Sequence, residues 1–413
     1  MTAAEAAQAP ARECGRLALP RLISCPTAEF SERHWGREPL LSRAEELPAS
    51  FADLFSGDAV DELVSERALR TPFMRMAKDG ATLPERAFTR GAGVGAGIAD
   101  QVGDDQVLRL FADGATMVLQ GLHRVWQPLA AFTRDLAADL GHPVQANAYV
   151  TPAQSTGFSD HYDVHDVFVL QVDGEKRWRV RPPVHPAPMR HEPWTDHRAA
   201  VEQAAAATPL VDAVLRPGDC LYLPRGYLHA ATALGAVSTH VTIGVHPWTR
   251  RHLADEAVRV ALDRASEDAA VRASLPLGVD AADPRAWAGD LELVRSALLR
   301  ALGEVRAADL AEALARRVRD AQRADPVHPL AQLRAAESLA DDSEVALRPH
   351  LSARLGAPRE GSAVLDSRAG AVTVAEDDLP AVARLLEAGT ARVGDLGQPL
   401  ARQLVLAGIL LSP

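Results

Sequence analysis

The 413-residue sequence predicts a mixed α and β chain: a barrel of short strands, then a helical stretch, then a small tail of strands and helices. Three observations predict it. Strand-like alternation punctuated by Gly, Pro and Asp clusters between residues 144 and 245. From residue 250 the composition shifts to Ala, Leu and Arg at helical period. From residue 343 short strand-like and helical segments alternate again. A chain of this length exceeds one hydrophobic core, and the shifts divide it into 1–17, 18–249, 250–342 and 343–413.

Residues 1–17 are rich in Ala with Gln, Pro and Glu, and lack a basic start and an apolar run, so a disordered leader is expected. Phe30, His34 and Trp35 recur at helical spacing until Pro39 ends the element, and His34 reads as a core or surface residue. Phe73–Gly80 reads as a strand entering a turn. Gly91, Gly93 and Ala96 fit a dinucleotide fingerprint, but the preceding Pro84–Arg90 is too polar for the buried strand that fingerprint needs, so a loop is expected. Thr116–Gln120 reads as a strand. Leu129, Phe132, Leu136 and Leu140 then mark one face of a helix stopped by Gly141. Barrel strands are expected over 144–151, 160–172, 175–181, 213–215, 220–223 and 238–245, with Asp173-Gly174 as a hairpin turn. The irregular insert 183–210, with His185, His191, Trp194 and His197, is expected to cover the barrel mouth.

The chemistry concentrates in Asp160–Val180. His161 and Asp163 stand two apart, so in extended backbone both leave one face, as two members of a facial triad for non-haem Fe(II). His229 supplies a second histidine just after a strand and turn. If Val172 pairs with Glu175, Gln171 faces Lys176 across the hairpin. A lysine pointing into a barrel needs a counter-charge; alternatively Lys176 snorkels to the rim.

With Asn147-Ala-Tyr149-Val-Thr151-Pro152, His161-Tyr-Asp163, Lys176 and the run Pro217 through His229, the chain resembles the JmjC-type, cupin-fold oxygenases, most closely the ribosomal-oxygenase group. The resemblance extends to Phe30–Leu41 and to the tail, so it covers most of the chain. It implies a double-stranded β-helix, with metal bound by His161, Asp163 and His229. It also implies Fe(II) as the metal, and 2-oxoglutarate and O₂ as co-substrates. Lys176 would hold the distal carboxylate of 2-oxoglutarate, and Asn147 and Tyr149 would line its pocket. His240 stands where the group also has a histidine. Two departures bear on substrate identity: Val164 replaces an acidic residue common after H-x-D, and Gly244 a serine of eukaryotic members. The tail resembles a winged helix. Its acidic residues outnumber its arginines and lysine is absent, so a protein-contact or structural role is expected rather than nucleic-acid binding.

The formal charge of −11 argues against general affinity for nucleic acid or anionic membranes. Three dispersed cysteines point to a reducing, cytoplasmic setting. No stretch approaches the roughly 20 apolar residues that span a bilayer. Apolar faces on the helices after residue 250, such as Leu253, Ala257, Val260 and Ala261, suggest a homodimer. The resemblance implies an Fe(II)- and 2-oxoglutarate-dependent hydroxylase acting on a His or Arg side chain of a ribosomal or other basic protein. Glu192, Asp196 and Glu202 beside Trp194 would offer that segment an acidic and aromatic wall. Two alternatives stand beside it: the same chemistry on a peptide or small metabolite, and a non-catalytic, metal-binding regulatory cupin.

Overall fold

Alternating side chains make most barrel strands two-faced, one face meeting helices and the other lining the interior. The computed structural model describes residues 18–412 except 79, 154, 156–158 and 281, and the expected leader 1–17 lies outside them. The chain divides into two compact units, Met1–Pro247 and Trp248–Pro413. In the first, nine strands form one sheet: β1 (Leu40–Ser42), β2 (Met74–Lys78), β3 (Ala81–Thr82), β4 (Thr116–Leu119), β5 (Val144–Thr151), β6 (Asp166–Arg181), β7 (Val211–Leu215), β8 (Cys220–Leu223) and β9 (Leu228–Val245). Their order is β1-β8-β6-β9-β5-β4-β2-β3, with β7 paired to β6.

On β5, Val144, Ala146, Ala148 and Val150 point outward, into a core shared with Leu129, Phe132 and Leu136 of helix α1 (Gln127–Leu140). Pro128 opens that helix, and Gly141, at a φ of 68°, ends it. The inner face carries a second apolar cluster from β6, β7 and β8: Val167, Val169, Trp178, Val180, Leu215, Leu221 and Leu223. Phe30 packs edge-on against Tyr222 with centroids 4.9 Å apart, and His34 is buried beside it, as a core histidine. Residues 91–97 form a loop between two short paired segments at 89–90 and 101–102, and helix α2 (Arg198–Ala205) lies between β6 and β7 in the chain.

Two expectations for the barrel are corrected. Asp173-Gly174 is not a hairpin turn, because β6 runs through it as one sixteen-residue strand. Both halves of β6 pair with β9, residues 166–173 against 239–245 and residues 175–181 against 228–234, with register shifts where β9 passes Leu234 to His240. Gly174 has a φ of +63°, and a Cβ there would lie 2.1 Å from the Val237 carbonyl oxygen. The dipeptide that favours a tight turn here makes a bulge-like bend with close backbone approach. The strand expected from residue 160 begins only at Asp166.

The second unit opens with α3 (Arg250–Ala265), α4 (Ala288–Gly303) and α5 (Ala307–Ala321). Ala261 and Ala265 pack on Ala297 and Ala301, small residues that let α3 and α4 approach closely. Arg259 and Arg317 both donate to the largely buried Glu256 of α3. The boundary expected at 342/343 cuts through a continuous core. Ala324, and Ala336 on α6 (Pro329–Glu337), belong to the cluster that holds Leu365, Leu385, Leu404 and Leu410. That region contains a sheet of β10 (Glu344–Leu347), β14 (Thr390–Arg392) and β15 (Leu410–Leu411), with β10 central. A second sheet joins β11 (Arg354–Leu355), β12 (Ser362–Ser367) and β13 (Gly370–Ala375), with helices α7 (Leu379–Ala388) and α8 (Gln398–Leu406) following in the chain. Among the described residues no helix is long and apolar enough to cross a membrane.

Candidate metal centre

His161 and His229 face each other across an isolated antiparallel bridge: His229 N donates to His161 O at 2.9 Å, and His161 N to His229 O at 3.2 Å. Backbone pairing thus brings together two imidazoles far apart in the chain. Asp163 is held by its own carbonyl, which accepts from Gly226 N at 3.0 Å. Gly226 has a φ of +90°, and a Cβ there would lie 2.7 Å from His185 O. Only glycine passes this point without strain. Between the two ligands in sequence, Tyr162 is buried with Val201 and Leu228 and donates its hydroxyl to Glu192 O at 3.0 Å. Beside His161, Asp160 accepts from the buried Arg181 at 2.5 Å.

Ligand atoms of His161, Asp163 and His229 all lie within 4.8 Å of one another. His161 Nδ1 is 2.7 Å from Ser159 O, and His229 Nδ1 is 3.1 Å from Tyr227 O. A carbonyl only accepts, so each Nδ1 carries the proton and each Nε2 keeps its lone pair, the arrangement metal-binding histidines need. Burial pulls His229 down to about 4, aided by the His161 ring. Burial alone would raise the Asp163 carboxyl, but the His165, His229 and His161 rings and Arg75 outweigh it and hold it below its ordinary value. A neutral His229 beside an anionic Asp163 suits a divalent cation.

Deeper in the barrel, Lys176 pairs with Leu215 of β7 and Ala233 of β9, pointing inward and only 3% exposed. It does not snorkel to the rim, nor does Gln171 face it. Gln171 lies beyond the bend, paired with His240. Lys176 Nζ donates to Thr151 Oγ1 at 2.9 Å and lies 3.5 Å from His240 Nδ1. Burial lowers its pKa to about 7, and among the described residues no carboxylate offsets that shift. A buried ammonium without a counter-ion is costly, so the pocket is built for an anion from outside the chain.

His240 stacks on Tyr149 with centroids 4.9 Å apart and stands perpendicular to Trp178 at 5.3 Å. Burial, then Lys176, push its pKa well down, which makes it a neutral wall. Arg75 of β2 hydrogen-bonds Tyr149, whose hydroxyl burial holds above its ordinary pKa. Asn147, two residues from Tyr149 on the same face, uses Oδ1 to accept from Gly121 N at 3.0 Å. A side chain at Gly244 would lie 3.2 Å from both Gln145 and His165, so these two residues fill that space.

Of the acidic wall expected in the insert, Asp196 and Glu202 are exposed. Glu192 is engaged internally, accepting from Met189 N at 2.7 Å and pairing with His185 at 3.1 Å. Trp194 lies 6.5 Å from His161, and Arg198 sits 4.6 Å over its ring. The wall beside the triad is aromatic and carries an arginine. His185 stacks on His197 at 4.5 Å. Sequence reasoning missed three pocket residues: Arg75, Thr151 and Trp178. Thr151 lay within the quoted motif without a role, and Arg75 comes from a strand with no motif at all.

Residues 124–253 match the family model of the JmjC domain. The chain is similar to the bifunctional lysine-specific demethylase and histidyl-hydroxylase NO66 of Drosophila persimilis, 35% identical over 57% of this chain and 32% of that protein. It is 30% identical to ribosomal oxygenase 1 of Gallus gallus over 63% of this chain and 42% of that protein. With ribosomal oxygenase 2 of Rattus norvegicus it shares 31% identity over 60% and 51%. The chain therefore matches from 32% to 51% of the length of these relatives. Among solved structures it shares the fold of the Escherichia coli ribosomal oxygenase YcfD, with a TM-score of 0.54 at 17% identity over 95% of this chain and 99% of that one. The same protein in complex with cobalt and 2-oxoglutarate gives a TM-score of 0.52 at 16% identity over 94% and 99%. The strands that bring His161, Asp163 and His229 together are those of a JmjC domain, in a chain related to the ribosomal oxygenases in sequence and in fold.

Proposed function

We propose that this chain is an Fe(II)- and 2-oxoglutarate-dependent hydroxylase acting on a His or Arg side chain of a ribosomal or other basic protein. One observation carries the proposal: two imidazoles and a carboxylate converge in the same barrel as a buried lysine with no carboxylate partner among the described residues. His161, Asp163 and His229 would hold the metal. Lys176, assisted by Thr151, would hold the distal carboxylate of 2-oxoglutarate, and Asn147 and Tyr149 would line its pocket. When bound, iron with 2-oxoglutarate and O₂ supplies oxidative decarboxylation and C–H hydroxylation. The chain orients the co-substrate, keeps the imidazoles in one tautomer and, through Val167, Val169, Val180 and Leu221, excludes water from the interior. A purely structural metal would need no such lysine, which disfavours a non-catalytic cupin. The relatives, ribosomal oxygenases and a histidyl-hydroxylase, support the same substrate class.

Iron-loaded protein incubated with 2-oxoglutarate and purified ribosomal proteins should add one oxygen atom to a His- or Arg-containing peptide, read by mass spectrometry, with a yield that falls as salt rises. Arg198 over Trp194 beside His161 favours a second reading, the same chemistry on a peptide or small metabolite. Unmodified ribosomal proteins together with an oxidised free amino acid or short peptide would select that reading.

Helices α3 and α4 are the proposed homodimer surface. Val258 and Leu299 are 57% and 63% exposed, unusual for large apolar residues on amphipathic helices. Light scattering at micromolar concentration should show twice the 44.1 kDa chain mass, and a 44.1 kDa species alone would argue against the dimer. The tail from residue 343 is proposed as a winged-helix-like module for protein contact, and the cytoplasm as the compartment.

A further inference from the structure

Trp178 is 5% exposed, and its indole Nε1 is buried with no hydrogen-bond partner among the described residues. Leaving a buried donor unmet is unfavourable, so an acceptor from outside the chain is expected. The position of the ring limits what that acceptor is. Trp178 follows Lys176 by two residues on β6 and therefore points to the same inner face. Its ring lies 5.3 Å from His240, whose Nδ1 is 3.5 Å from Lys176 Nζ, and 6.0 Å from His229. It thus reaches from the surroundings of the lysine to a histidine of the metal cluster. Tyr149 and Asn147 already have partners of their own, through Arg75 and Gly121.

We infer that the Trp178 Nε1–H donates a hydrogen bond to the same distal carboxylate that Lys176 holds, making Trp178 a co-substrate-binding residue. The inference rests on the 2-oxoglutarate reading above. An ammonium alone fixes charge with little direction, whereas an added indole donor fixes the orientation of the carboxylate plane.

The test uses protein loaded with diamagnetic Zn(II) in place of iron and reads the indole N–H resonances by two-dimensional NMR. The chain has six tryptophans, and the signal lost in Trp178→Phe belongs to Trp178. Adding 2-oxoglutarate should move that signal downfield, and adding 2-oxobutyrate, which lacks the distal carboxylate, should not. In calorimetry Trp178→Phe should bind 2-oxoglutarate about tenfold more weakly and 2-oxobutyrate as wild type does. If Trp178→Phe does not fold, Trp178→Tyr supplies the assignment and the shift in wild-type protein still decides. An unmoved indole signal in protein that binds 2-oxoglutarate overturns the role of Trp178 and leaves the co-substrate reading standing. Equal weakening toward both acids also overturns it, as a packing effect. Absence of any 2-oxoglutarate binding removes both.

Discussion

Asp163→Ala is expected to abolish 2-oxoglutarate turnover while leaving the fold intact. Asp163 is anchored through its backbone carbonyl to Gly226, a bond alanine keeps. What alanine loses is the only carboxylate among the three converging ligands. The remaining His161 and His229 supply two imidazole nitrogens, with no carboxylate to offset a divalent cation. Alanine is smaller than the aspartate it replaces, and the carboxylate lost lies 3.7 Å from His229 Nε2, so no new clash arises. Succinate formation and thermal unfolding measured together check this. Unchanged turnover in a folded Asp163→Ala protein would remove the triad.

The second large effect belongs to Lys176→Ala, which should raise the 2-oxoglutarate concentration needed for half-maximal turnover by two orders of magnitude or so. Losing one partner of a desolvated charge pair costs about 2–5 kcal/mol. The variant should also change the pH behaviour. Without an anion, burial lowers Lys176 to about 7 from the ordinary 10.5. Between those values the folded protein holds fewer protons at this site than the unfolded chain does. The burial of Lys176 therefore destabilises progressively as pH falls from 10.5 to about 7 and no further below. Lys176→Ala should flatten that part of the stability profile. In wild type, binding of the dicarboxylate at pH 8 should take up a proton, seen as a binding enthalpy that depends on the buffer used. Wild-type kinetics in Lys176→Ala would move the carboxylate site elsewhere.

Local periodicity made several elements legible. The strand expected over 144–151 is β5, and the helix stopped at Gly141 is α1, because a period of two or of 3.6 is written into neighbouring residues. In the tail, the short strand-like and helical segments expected after residue 343 include β12, β13, α7 and α8. Asp173-Gly174 shows the limit of the same reasoning. A turn-forming dipeptide reports the conformations its two residues accept, here a φ of +63° at Gly174. Whether the chain then reverses or continues depends on what pairs with it, and β9 pairs with both sides.

For the site, residue types and spacing singled out His161, Asp163, His229 and Lys176, and the family resemblance added Asn147 and Tyr149. His161 and Asp163 converge even though the segment between them is not a regular strand. Gly226, Arg181 and the insert residues around Tyr162 hold it in place. The opposition of His161 and His229, the burial of Lys176 and the orphaned indole of Trp178 are tertiary facts. Each depends on the pairing of β6 with β9 and β7, or on the bridge beside it, and so on residues distant in the chain. The sequence by itself determined which groups are available to bind a cation and an anion, because that is a matter of side-chain chemistry. The tertiary structure alone decided which of them are close, dry and unpaired, because distance and desolvation are set by the packed barrel.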